Sequence, residues 1–107
     1  MKHVKDYFRE VFPTRIATDP DSVSRIGGVI QFVITGEQAG TWVLDFKNQA
    51  GGVRTGPSAD ADLTLTLADT DFLSMMEKSI DPMELYRQEK IQIDGSLLFF
   101  KILSRVM

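Results

Sequence analysis

Few side chains in this sequence could perform chemistry. His3 is the single histidine, and there is no cysteine. Zinc and haem sites draw on several such ligands, so neither a metal nor a cofactor is expected. A hydrolase triad would have to use His3, and no G-x-S-x-G stretch is present. Carboxylates pair at Asp19 and Asp21, Asp60 and Asp62, and Asp69 and Asp71. Such pairs suit acid/base work, but helix caps and strand edges explain them better. Gly51-Gly52-Val53-Arg54-Thr55-Gly56 has the look of a phosphate loop. It precedes a strand, however, and lacks the following Lys-Ser/Thr, so it reads as a turn. No catalytic residue is assigned, and the protein is not expected to be an enzyme.

What remains is oily surface. Ile30, Phe32 and Ile34 share one strand face, as do Trp42, Leu44 and Phe46, and Leu63, Leu65 and Leu67. Phe72 and Met76 share a helical stripe. In the closing segment Leu98, Phe99, Phe100, Ile102, Leu103, Val106 and Met107 sweep an apolar arc of roughly 200°, about twice what a helix needs to cover a core. The plain reading is packed core. The sharper one is a cavity between sheet and helices for an apolar ligand, with Met75, Met76 and Met83 as an adaptable wall.

The elements that hold these residues follow from periodicity. Lys2 to Phe12 reads as an amphipathic helix with Val4, Tyr7, Phe8, Val11 and Phe12 inward; Pro13 should stop or restart it. Asp19-Pro20 opens a short helix that Gly27-Gly28 ends. Strands follow at Val29 to Thr35, Thr41 to Lys47, Val53 to Thr55 and Ala61 to Ala68. The turns between them are short: Gly36 to Gly40, Asn48 to Gly52, and Gly56-Pro57-Ser58. Short turns suggest an antiparallel meander, apolar on one side. Asp69 or Thr70 caps the next helix. Asp81-Pro82-Met83-Glu84 starts another with the pattern of a capping box. Lys90 to Asp94 alternates as a last strand, Gly95 breaks it, and Ser96 caps the final helix. The layout is α+β: a five-stranded, mostly antiparallel sheet with helices over one face.

A chain of 107 residues is expected to form one domain, residues 1–107. Its 43% hydrophobic and 25% charged residues are ordinary for a globular protein. A net charge of −3 argues against nucleic acid or an anionic membrane as main partner. No apolar run is long enough to span a bilayer. The lack of cysteine, of a signal-peptide core and of a peroxisomal tripeptide points to a cytoplasmic protein.

The order of motifs resembles the sterol carrier protein-2 type lipid-transfer domain over nearly the whole chain. The pieces are G-V-I-Q-F-V-I-T (28–35), T-W-V-L-D-F-K-N (41–48), the G-G-V-R-T-G turn and strand, A-D-L-T-L-T-L-A-D-T-D-F (61–72), D-P (81–82), and Q-E-K-I-Q-I-D-G (88–95) before an apolar helix. The resemblance implies a hydrophobic tunnel between sheet and helices. It also implies binding and transfer of a fatty acid, acyl-coenzyme A or sterol without chemistry. The expected walls are Phe32, Trp42, Leu44, Phe46, Leu65, Phe72, Met76, Met83, Tyr86, Ile91, Ile93, Phe99 and Leu103, each with packed core as its alternative. A head group would lie near Arg87 or Gln88.

The sequence departs from the family pattern at four places. Lys78-Ser79 replaces Gly-Lys, and Glu89 replaces a glycine, so the two helices should close differently. Tyr86-Arg87 stands where an aromatic pair is usual. Leu98 and Phe100 stand where small residues are usual, and either fills cavity volume if it points inward. These changes favour a single-chain lipid over a sterol. The alternative function is an interaction module with a filled interior, docking through the C-terminal helix on a second copy or on a lipid-metabolising enzyme.

Overall fold

The structure is a computed structural model that describes residues 3–47 and 52–106, with side chains placed for all of these except 20, 22, 23 and 102–106. Helix α1 (Val4–Asp6), a π-helical turn (Tyr7–Val11) and α2 (Phe12–Thr18) follow without a break. Pro13 therefore restarts the helix instead of stopping it. The Phe12 N–H donates to the Tyr7 carbonyl five residues back, and the widened turn admits Pro13 at the start of α2, where a missing N–H is tolerated. The same widening keeps residues four apart on one line, so Val4, Phe8 and Phe12 are all buried. Helix α3 (Pro20–Ile26) follows Asp19, and Gly27 ends it at φ 60°.

The sheet is built from β1 (Val29–Thr35), β2 (Gly40–Asp45), β3 (Gly52–Thr55), β4 (Leu63–Ala68) and β5 (Ile91–Gly95) in the order β3-β2-β1-β4-β5. Three pairings are antiparallel; β1 and β4 run parallel. The expected meander is thus corrected: β4 does not return beside β3 but crosses to the far side of β1. Three strand spacings are about 14 Å, and seven extended residues reach about 23 Å, so the segment 56–62 spans the gap with slack. It crosses the face away from the helices. There the Gly56 N–H donates to the Thr41 carbonyl, the Ser58 N–H to Gln31 Oε1 at 2.6 Å, and the Asp62 N–H to the Val29 carbonyl. Val43, an apolar residue of that face, is 1% exposed. The turn expected at Asn48 to Gly52 lies, Gly52 apart, outside the described residues.

The register sets one apolar face. Trp42, Phe32, Leu65 and Ile93 form one row across the strands; Leu44, Ile30 and Leu63 form the next. The opposite face carries Arg54, Gln31, Thr64 and Asp94 in corresponding positions. Helices α4 (Asp69–Met76), α5 (Pro82–Arg87) and α6 (Leu97–Val106) join the N-terminal helices over the apolar face, with Phe8, Phe72, Leu85 and Phe100 buried against it.

The caps explain where these helices begin. Asp81 Oδ1 accepts from the Met83 N–H at 2.8 Å, and Ser96 Oγ from the Phe99 N–H at 3.3 Å. Gly95 is required before α6: its φ is 129°, and a Cβ there would lie 2.5 Å from the Asp62 carbonyl oxygen. Among the described residues no helix is long and apolar enough to cross a membrane.

Candidate functional site

The expected wall residues divide into two groups. Phe32, Trp42 and Phe72 converge on Phe8, a residue the sequence reading placed on a helix face but not at a site. The Phe8 ring stacks on Trp42 at 5.0 Å and on Phe72 at 5.3 Å, and meets Phe32 edge-on at 5.5 Å and Phe12 at 5.1 Å. Such contacts add about 0.5–1.5 kcal/mol each beyond area burial. Leu44, Leu65 and Ile91 are also fully enclosed, and Phe46 nearly so. This end is packed core. The i, i+4 spacing of Phe8 and Phe12 was the available signal.

The second group lies toward β5, under α5 and α6. Met76, Met83, Ile93 and Phe99 are only half-buried, although they pack on the core. Tyr86 is 39% exposed, Leu97 40% and Leu98 68%. The Phe99 ring lies over Gly28, where a Cβ would come within 2.1 Å of its tip. Leu103 lies outside the described side chains, as do Ile102 and Val106; Met107 is outside the described residues. Among the described residues the exposed large apolar side chains, Tyr86, Leu97 and Leu98, all lie on α5 and α6, whereas half-buried ones also occur at Tyr7, Ile16, Trp42, Val53 and Leu73.

The carboxylates serve the backbone. Asp62 Oδ2 accepts from the Val29 N–H at 2.9 Å. Asp69 or Thr70 was expected to cap α4, but both lie inside its first turn, and Ala68 holds the cap position. Asp69 still serves the backbone. It accepts from the Thr70 N–H at 2.7 Å and from the Gln38 N–H at 3.0 Å, tying the β1–β2 turn to α4. Glu84, expected to reach back in a capping box, instead accepts from Arg87 at 2.9 Å and from Gln88 Nε2 at 3.2 Å. Those two bonds, Arg87's foremost, hold the Glu84 carboxyl below its ordinary range. Both head-group candidates are therefore exposed at the end of α5 and share one partner.

The family model for the "SCP-2 sterol transfer family" matches residues 8–107. The chain belongs to that family. It is similar to chicken (Gallus gallus) sterol carrier protein 2, with 40% identity over 78 residues that cover 70% of this chain and 14% of the relative. It is also similar to hydroxysteroid dehydrogenase-like protein 2 of Xenopus laevis, with 34% identity over 82 residues, 76% of this chain and 20% of the relative. The chain therefore spans a fifth or less of these curated relatives. Among solved structures, palmitated SCP2L2 from Aedes aegypti matches with a TM-score of 0.79 and 27% identity, covering 98% of this chain and 94% of that one.

Against the SCP-2 pattern, the departures resolve individually. Lys78 and Glu89 take φ 62° and 59°, so α4 and α5 close as glycine would close them, contrary to expectation. In each turn the next residue bonds back to the helix: the Ser79 N–H donates to the Ser74 carbonyl and the Lys90 N–H to the Leu85 carbonyl, both at 2.9 Å. These backbone bonds outweigh the side-chain strain of the left-handed conformation, about 1–2 kcal/mol per residue. Of the two bulky residues in the closing helix, Phe100 points inward at 1% exposure, its ring 6.1 Å from that of Tyr86, and Leu98 points out. Phe100 fills space that a small residue of the SCP-2 pattern would leave.

Proposed function

We propose that this chain binds a single-chain lipid of the fatty-acid class at the β5 end of the covered face and transfers it without catalysis. The observation that carries this reading is the run of half-buried apolar side chains, Met76, Met83, Ile93 and Phe99, leading out to Tyr86 and Leu97. The protein's own core leaves these residues partly open; a lipid chain laid among them would cover them. Each buried methylene contributes about 0.8 kcal/mol, so eight to ten supply about 6–8 kcal/mol before binding costs. The head group lies near Arg87 and Gln88, where an anion takes the Arg87 guanidinium from Glu84. That exchange is between exposed partners and adds little, so the acyl chain sets the affinity. Membership of the family and the likeness to a palmitated relative support this reading. The inward Phe100 disfavours a sterol's rigid rings.

The test is binding of a fluorescent fatty acid to the folded protein. Wild type should bind, and Met76→Trp should weaken binding by filling space. A folded wild type that takes up no fatty acid, acyl-coenzyme A or sterol sinks the proposal. The exposed Leu97 and Leu98 favour a second reading, docking of α6 on another copy or on a lipid-metabolising enzyme. A mass that rises with concentration would mark the self-association form of it; co-purified lipid on a monomer would mark transfer.

A further inference from the structure

Far from α5, a groove of about 330 Å³ lies between the N-terminal helix and the β1–β2 turn. Its lining includes Lys5 and Arg9, with His3, Glu37, Ala39 and Trp42. Lys5 and Arg9 are four residues apart on one helix, an arrangement in which like charges repel. Both are exposed, and among the described residues neither has an ion-pair or hydrogen-bond partner for its side chain. The neighbouring Asp6 carboxylate is taken by the His3 N–H at 2.8 Å. The inner wall holds a second unmet demand. Trp42 Nε1 is buried and is the buried side-chain polar atom that lacks a hydrogen-bond partner among the described residues. Its ring cannot turn to find one while stacked on Phe8. Beside it is Gly40, where a Cβ would press on the face of the indole, 3.1–3.4 Å from Nε1, Cε2 and Cζ2. The groove is also held in shape. Gln38 Oε1 accepts from the Val4 N–H at 2.7 Å, and Asp69 holds the Gln38 N–H, so helix and turn are fastened together.

We propose that this groove binds the phosphate group of a small phosphorylated molecule. Two cations without ion-pair partners, against the one carboxylate of Glu37 on the same lining, attract a phosphate monoester's charge of about −1.5 to −2. The Arg9 fork suits two of its oxygens, Lys5 a third, and the indole N–H adds a neutral donor. Glu37, in the same lining, repels a second anionic group and accepts from a hydroxyl. Ala39 and the indole give the organic part an apolar wall. The volume lies at the small end of ligand pockets, about 300–1,000 Å³. The site is separate from the lipid-binding end, and either can fail without the other.

The test is titration calorimetry of the full chain with glycerol 3-phosphate and with inorganic phosphate at low salt. Emission of Trp42, the single tryptophan, is followed in parallel. The expected result is saturable binding, weakened about tenfold or more by Lys5→Gln and by Arg9→Gln and unchanged by Lys90→Gln. Trp42→Phe keeps a stacking ring, removes the N–H, and should weaken binding several-fold by calorimetry. Circular dichroism confirms that each variant is folded. Absence of saturation in folded wild type overturns the proposal, as does equal binding by Lys5→Gln and Arg9→Gln. Binding to phosphatidic acid vesicles with no response to either soluble phosphate also overturns it, since that is surface attraction without a site.

Discussion

Under the N-terminal helix the sheet meets a cluster of rings in mutual contact; under α5 and α6 it meets thioethers and aliphatic chains mixed with the rings of Phe99 and Phe100. Phe8, Phe32 and Phe72 are at most 1% exposed and meet ring to ring, stacked or edge-on, while Met76, Met83, Ile93 and Phe99 keep part of their surface open. Ring clusters have few rotamers and defined geometry, so they fix one arrangement. Methionine has three rotatable bonds and a polarisable sulfur, so it adapts to what lies beside it. The two ends divide the work of the layer: one secures the fold and the other leaves room to accommodate.

The largest test of this contrast is truncation at each end. Phe8→Ala should cost about 3–5 kcal/mol of stability in urea titration, because the cavity cannot collapse among stacked rings. Met83→Ala, half-buried, should cost only about 1–2 kcal/mol. Equal costs would erase the distinction. Lys78→Gly and Glu89→Gly, in the turns that bracket α5, should each stabilise by about 0.5–1 kcal/mol, relief of the left-handed strain exceeding glycine's entropy cost. The gains should add, since the turns are separate; a loss would show that these side chains hold the adaptable end by other contacts.

The smallest effect is electrostatic. Glu84 has its pKa lowered from 4.5 in the folded state, so its contribution is present above the unfolded value and lost as pH falls through the folded one. Glu84→Gln should melt slightly below wild type at neutral pH, and the two curves should merge in acid. A gap that persists in acid would mean Glu84 acts through something other than its charge.

Strand faces and the caps at Asp81 and Ser96 were legible in the sequence because each is local; the cap of α4 was misplaced by one or two residues. Alternation at Leu63, Leu65 and Leu67 needs no partner to be read, nor does Asp81-Pro82. Pairing was not legible. Nothing in Gly56-Pro57-Ser58 tells a hairpin from a strap; the deciding contacts, Ser58 to Gln31 and Asp62 to Val29, join residues distant in sequence. The αL turns at Lys78 and Glu89 were misread because side-chain preference was weighed without the backbone bonds that oppose it. Phe8 was legible as an inward residue from its i, i+4 spacing, but its place at the centre of the rings was not, because Phe32, Trp42 and Phe72 reach it from three other elements. The groove went unread because Lys5 and Arg9 look like a solvated face until the β1–β2 turn is set beside them.

The parallel pairing of β1 also has a temporal meaning. Gln31 and Thr64, neighbours across that pairing, are separated by 33 positions. During synthesis β1 acquires β2 early, yet its other edge stays raw until the leucine-rich strand leaves the ribosome. For that interval the nascent chain displays an unsatisfied central strand of Val, Ile and Phe. A pause in translation that leaves β1 outside the ribosome and β4 still within it should therefore raise aggregation more than an equal pause after β4 has docked.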